Sequence, residues 1–156
     1  MAVLTPTSTY TAQTAPSVTT YLDYNETGGK LRTFLVEDII SGTDATSDTK
    51  KILRLPKGFT MIPSLSYVTL EDPGTTLTLD LGDNDTAGTD ADRYCNDLVL
   101  SSGGNVGLAS ALGTFGVAAT RPFKTTSECD LTATYVSVST PTASAKILYV
   151  IVGTLE

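Results

Sequence analysis

The sequence predicts an all-β protein, an antiparallel and jelly-roll-like β-sandwich over residues 26–156 with an extended N-terminal arm over residues 1–25. Three observations carry that expectation. Threonine is the commonest side chain, and β-branched residues suit pleated, half-buried surfaces while losing χ1 freedom in helices. Apolar and polar residues alternate, most clearly in Leu77-Thr78-Leu79-Asp80-Leu81, the spacing of a strand with one dry face. Turn-forming residues separate such runs at intervals of about 8–15 residues, the pattern of a sandwich or jelly roll. At 156 residues, one domain is expected, large enough to bury roughly 68–70% of its unfolded surface.

Residues 1–20 are rich in Thr, Ser and Pro and nearly uncharged, so they cannot bury enough apolar surface to hold themselves. An arm that lies on a neighbouring subunit is the functional expectation, and a frayed terminus the alternative. After the turn signal Asn25-Glu26-Thr27-Gly28-Gly29-Lys30, the run Leu31 to Ile40 predicts a strand partly covered on both sides, with Phe34 and Val36 on one face and Leu31 and Leu35 on the other. A short helix over Phe34 to Ile40 competes with it. Residues 41–50 read as a polar loop, Lys51 to Leu55 as a strand, and Pro56-Lys57-Gly58 as a tight turn. Pro63 interrupts the next apolar run because proline cannot donate to a ladder, which leaves Leu65 to Leu70 as the strand. Glu71-Asp72-Pro73-Gly74 then predicts a hairpin into Leu77-Leu79-Leu81.

Residues 82–94 form an acidic loop, and Leu98-Val99-Leu100 follows as a second apolar run, stopped at Ser101-Ser102-Gly103-Gly104. Over 105–124 a short helix at Val106 to Leu112 is weakly indicated, because flanking glycines disfavour helix. Cys129 to Ser139 alternates, with Leu131, Ala133 and Tyr135 offset from Val136 and Val138, which predicts a bulge near Tyr135. Residues 140–145 turn the chain, and Lys146 to Gly153 is continuously apolar after its first residue, the mark of a strand covered on both faces.

Charge and composition exclude several roles. A net charge of −7 with no basic cluster argues against nucleic-acid binding, which needs clustered cations to neutralise phosphate. The absence of histidine removes the commonest general base and metal ligand, and with it any Ser-His-Asp or Cys-His site within this chain. No apolar run approaches the roughly 18 residues that span a bilayer, so no membrane partner is expected. Met1-Ala2-Val3-Leu4-Thr5-Pro6 lacks the features of a secretion signal, which predicts folding in the host cytoplasm with Cys95 and Cys129 reduced.

The acidic loop is the one cluster that invites chemistry. Asp83-Asn84-Asp85-Thr86-Ala87-Gly88 fills the first, third and sixth positions of an EF-hand pattern. Ala87 then stands at the fifth position and Tyr94 at the twelfth, where a bidentate Glu is needed. Asp83, Asp85, Asp90 and Asp92 are therefore only a weak calcium candidate, and no metal or cofactor is expected. The competing picture is a solvated turn in which Asp90 or Asp92 pairs with Arg93 while Tyr94 returns to the core. Paired carboxylates could serve a glycosidase, but they sit on one loop and no tryptophan exists to stack a sugar. No catalytic residue is assigned, and Arg54, Lys57 and Arg121 read as scattered surface cations.

The succession Lys51-Ile52-Leu53-Arg54-Leu55-Pro56-Lys57-Gly58, Thr76-Leu77-Thr78-Leu79-Asp80-Leu81-Gly82-Asp83, Asp90-Ala91-Asp92-Arg93-Tyr94 and Ser101-Ser102-Gly103-Gly104 looks like small virion structural proteins of tailed bacteriophages. The resemblance covers about residues 50–155 and rests on a pattern, without a catalytic signature. It implies a protein similar to head decoration, or cement, proteins, which clamp the capsid exterior. The major capsid protein would be the partner, the location the virion, and self-association a homodimer in preference to a trimer. A virion fibre or glycan-binding module is the alternative that the same compositional style allows.

Overall fold

A computed structural model describes residues 3–4, 30–40, 43–71, 76–101, 104–111, 123–138 and 145–155. Among them ten strands form two sheets. They are β1 (Val3–Leu4), β2 (Lys30–Ile40), β3 (Thr49–Leu55), β4 (Phe59–Met61), β5 (Tyr67–Leu70), β6 (Thr76–Asp83), β7 (Asp90–Ser101), β8 (Asn105–Gly107), β9 (Cys129–Val138) and β10 (Ala145–Leu155). The first sheet runs β1-β3-β9-β6-β7, and the second β2-β10-β5-β8 with β4 also on β10. Every pairing is antiparallel except β1 with β3. The arm expected over residues 1–25 lies outside the described residues apart from Val3–Leu4, as do the turns at 72–75 and 139–144.

Alternation decides which side chains go inside. In β6, Leu77, Leu79 and Leu81 are fully buried, with Thr78 and Asp80 half-buried between them. β9 contributes Leu131, Ala133 and Tyr135, and β10 contributes Ile147, Tyr149 and Ile151, all to one core. The continuously apolar β10 is central in its sheet. It pairs along its whole length with β2 on one side and with β5 and β4 on the other, and Val150 and Val152 on its second face are buried too. Gly153 lets the chain close up here, because a Cβ at that position would lie 2.3 Å from Phe59 Cζ. The Phe59 ring in turn meets Phe34 edge-on, with centroids 5.6 Å apart.

The structure corrects several local expectations. Residues 34–40 belong to strand β2, and the helix competing for them does not form, since Phe34, Val36 and Ile40 share a buried face at strand spacing. That strand is covered on one side only, with Leu31, Leu35 and Ile39 exposed. In place of a helix from Val106 there is β8 followed by a 3-10 turn at Leu108–Ala111, which buries Leu108. β5 and β6 do not form a hairpin, because they lie in different sheets, and the same is true of β9 and β10. Turn residues mark a change of direction, but a corner between two sheets and a hairpin use the same chemistry. The bulge near Tyr135 is present, as the β6–β9 register shifts between Thr78↔Ser137 and Leu79↔Tyr135. Both cysteines are free and buried, and burial pushes each thiol up to about 12.

One ion cluster joins the two sheets. Lys50 of β3 places Nζ 3.0 Å from Asp38 of β2 and 2.9 Å from Asp44, with all three side chains at least nine-tenths buried. The same ammonium donates to the Ile39 carbonyl at 2.7 Å and lies 5.6 Å from the Tyr135 ring centroid. Losing the cation would strand two carboxylates in a dry site. The Lys50→Met variant is therefore expected to lose about 3–5 kcal/mol of unfolding free energy in urea titration. Removing the exposed cation in Lys146→Met, whose partner Glu37 is comparably exposed, should leave the urea midpoint nearly unchanged, because water and salt screen such a pair.

Candidate functional site

The β6–β7 hairpin carries the acidic turn at its tip, with Asp83 closing β6 and Asp90 opening β7. Gly82 makes this tip possible. The backbone of Asp90 and Ala91 packs so close that a Cβ at position 82 would sit 1.9 Å from the Asp90 carbonyl oxygen, an approach only glycine permits. Further along, β7 carries one residue more than β6 between the pairs Leu79↔Leu98 and Leu81↔Cys95. Asp97 absorbs it at φ +55°, and its N–H donates to the Asp80 carboxylate at 2.7 Å.

The two central carboxylates turn inward. Asp83 is buried, and its Oδ2 accepts the Tyr94 hydroxyl at 2.6 Å and lies 3.0 Å from Arg93 Nε, while its Oδ1 accepts the Asp85 N–H at 3.1 Å. Burial first, and the Asp83 charge second, push the Tyr94 phenol well above its usual range. Arg93 also donates to the Gly88 carbonyl and stacks 3.8 Å from the centre of the Phe123 ring. Tyr94 thus returns to the core as its sequence position suggests, and Arg93 pairs with Asp83 while its charge also acts to lower the Asp90 carboxyl.

Asp85 is the most heavily hydrogen-bonded of the four. Its Oδ2 accepts the N–H groups of Thr126 at 2.6 Å and Ser127 at 3.4 Å. Its Oδ1 accepts the Ala87 N–H at 2.9 Å, the Ser127 hydroxyl at 3.3 Å and the Thr126 hydroxyl. Burial alone would raise this carboxyl, but the donors of Thr126, Ala87 and Ser127 outweigh it and hold the group far below the usual carboxylate range. Next to it, Asn84 and Asp130 bond reciprocally at 2.6 and 3.2 Å, and Lys51 lies 3.0 Å from Asp130. The segment 123–128 is therefore clamped at two points. Thr126 and Ser127 hold the acidic turn, and Thr125 holds the Pro56–Phe59 turn through bonds of 2.7 and 2.9 Å.

Asp90 and Asp92 remain at the start of β7, half-buried, with the Asp92 N–H donating to Asp90 at 3.3 Å. Burial, and then the neighbouring Asp92, raise the Asp90 carboxyl. Among the described residues no group of three or more His, Cys, Asp or Glu side chains is arranged to hold a metal ion. Asp83 and Asp85 are engaged by donors from the protein itself, and Asp90 lies across the hairpin from Asp83 as its register partner. Beside the turn lies an open depression of about 550 Å³ lined by Lys57, Gly58, Lys124, Thr125 and Thr126. Arg54 pairs with Glu128 at 3.4 Å where both side chains are exposed, and Arg121 lies outside the described residues. The arrangement suits holding loops in place.

No protein-family model and no curated protein matches the sequence. The fold, by contrast, is similar to chains in two solved phage assemblies. One is the capsid of Ralstonia phage GP4, with a TM-score of 0.58 at 14% identity over 85% of this chain and 89% of that one. The other is the capsid asymmetric unit of cyanophage Pam1, with a TM-score of 0.53 at 17% identity over 85% and 90%. At such identities the likeness is one of fold.

The Asp85 clamp has a defined pH dependence. A carboxyl whose folded-state pKa is depressed contributes stability that is fully present above its unfolded value of about 3.9 and is lost as pH falls towards the lower folded value. Wild-type protein should lose this contribution progressively below about pH 4, and Asp85→Asn, with no charge to protonate, should lose less over the same range. Asp80 and Asp90, raised chiefly by burial, act in the opposite sense and cancel in the comparison. At neutral pH, Asp85→Ala should cost about 1–2 kcal/mol by leaving part-buried donors unmet. Urea titrations at a series of pH values check both expectations.

Proposed function

We propose that this protein is a structural component of a tailed-phage virion, a decoration subunit that binds the outer surface of the head and stabilises capsomer junctions by non-covalent contacts. The observation that carries the reading is the fold likeness to chains in two phage capsids, each covered over about nine-tenths of its length. Matching shares of both partners mean that those chains are of similar size to this one. The pattern over residues 50–155 that resembles small virion proteins supports the same reading from the sequence alone.

Physical requirements agree with it. A cement subunit acts at many equivalent places, so each contact can be modest provided that it repeats. What the subunit must supply is a body that does not deform. Two sheets sharing one core, an ion cluster joining β2 to β3 and a hydrogen-bonded clamp on the acidic turn supply that stiffness. The mechanism is binding to the major capsid protein without turnover, after folding in the host cytoplasm, and a two-fold position on the shell favours a homodimer. A glycan-binding fibre module needs an aromatic-lined groove, whereas Tyr94, Tyr135 and Tyr149 are buried between the sheets.

The test is a comparison of heads assembled with and without the protein. Heads lacking it are expected to open at lower temperature and in lower salt, and added protein should restore them. Equal resistance of bare and complete heads would sink the decoration role, and specific binding on a glycan array would favour the fibre module.

A further inference from the structure

The four sheet edges are not alike. β7 is kinked by the bulge at Asp97, β8 is three residues long, and β3 has a register shift between Lys51 and Leu53 and carries β1 beside Thr49 and Lys50. Bulges, short strands and covering segments are the ordinary ways of keeping an edge from pairing with another molecule. Among the described residues β2 uses none of them. It runs for 11 residues with its register to β10 unbroken from Lys30↔Leu155 to Ile40↔Ala145. Among the described residues no strand lies on its other side. Every second N–H and C=O of β2 therefore points away from β10, and its outer face shows Leu31, Leu35 and Ile39 at 59, 65 and 50% exposure.

We propose that β2 pairs antiparallel with β2 of a second copy about a two-fold axis at Leu35, joining two sheets into one and making the chain a homodimer. The register follows from the strand's own sequence. With Leu35 opposite the partner's Leu35, the outer face sets Leu31 against Ile39 and Thr33 against Glu37, while the inner face sets Phe34 against Val36. On the outer face the exposed apolar residues meet one another, Leu31 with Ile39 twice by symmetry and Leu35 with itself on the axis. Sliding two residues in either direction sets Glu37 against Leu31 or Leu35, which removes that match. An axis perpendicular to the sheet also keeps the core faces of both copies on the same side. Added strands gain affinity from main-chain hydrogen bonds and specificity from alternate side chains, and a two-fold contact uses the same patch on both subunits.

The inference concerns the free protein and does not depend on its place in a virion, so it can fail while the decoration role stands, and the reverse. Analytical ultracentrifugation of the full chain in reducing buffer should show a dimer. Leu35→Glu, which sets like charges on the axis at an exposed position, should abolish it with the β signal in circular dichroism unchanged. Mild oxidation tests the register, since native Cys95 and Cys129 are buried and opposed strand residues lie within disulfide reach at about 4.5–5.5 Å between Cα atoms. Leu35→Cys should form a covalent dimer. Thr33→Cys and Glu37→Cys should each stay uncrosslinked alone and form a mixed dimer when combined. A monomeric wild type, a dimer untouched by Leu35→Glu, or Thr33→Cys crosslinking alone as well as Leu35→Cys would each overturn the proposal.

Discussion

The structure depends on one dry layer between its two sheets. Leu77, Leu79 and Leu81 of β6 and Leu131, Ala133 and Tyr135 of β9 share a single core with Ile147, Tyr149 and Ile151 of β10. Full burial of one such aliphatic side chain is worth about 1.5–3 kcal/mol, so this layer outweighs any surface pairing in the molecule. It also dictates geometry. A strand that must present every second residue to that layer has its register fixed to within two residues, because a one-residue slip would turn the whole apolar set to water.

Polar groups then pin what the apolar layer leaves loose. Lys50 ties β3 to β2 and to the loop that carries Asp44. Asp85 ties the hairpin tip to Thr126 and Ser127, 41 and 42 residues further along the chain. Both clusters bury charge, and each compensates with donors or an opposite charge at close range, which is the condition under which buried ions are tolerated. A carboxylate in a wet loop and one taking up five or more hydrogen bonds do opposite things for stability, and the difference lies in residues far away in sequence.

The proposed role asks for a rigid body with defined edges, and the four edges differ in how they meet that need. Three are broken, short or covered, so among the described residues the long regular β2 is the edge open to pairing. Its exposed leucines and isoleucine lie on the same face as the half-exposed Leu148 of β10, opposite Glu37 in the register. A partner strand added there would extend an existing apolar surface instead of creating a new one.

Side-chain periodicity within single short stretches points to most of the strands, to the acidic turn, to the bulge beside Tyr135 and to a β10 covered on both faces. Only the tertiary structure decided which strands are neighbours. The sequences after β5 and after β9 read as turns, yet the strands on either side of each lie in different sheets, since sheet membership is settled by which apolar faces must meet. For the same reason Asp85 is indistinguishable from Asp90 and Asp92 along the chain. Its role as an internal acceptor exists only once folding brings Thr126 and Ser127 against it and takes the water away.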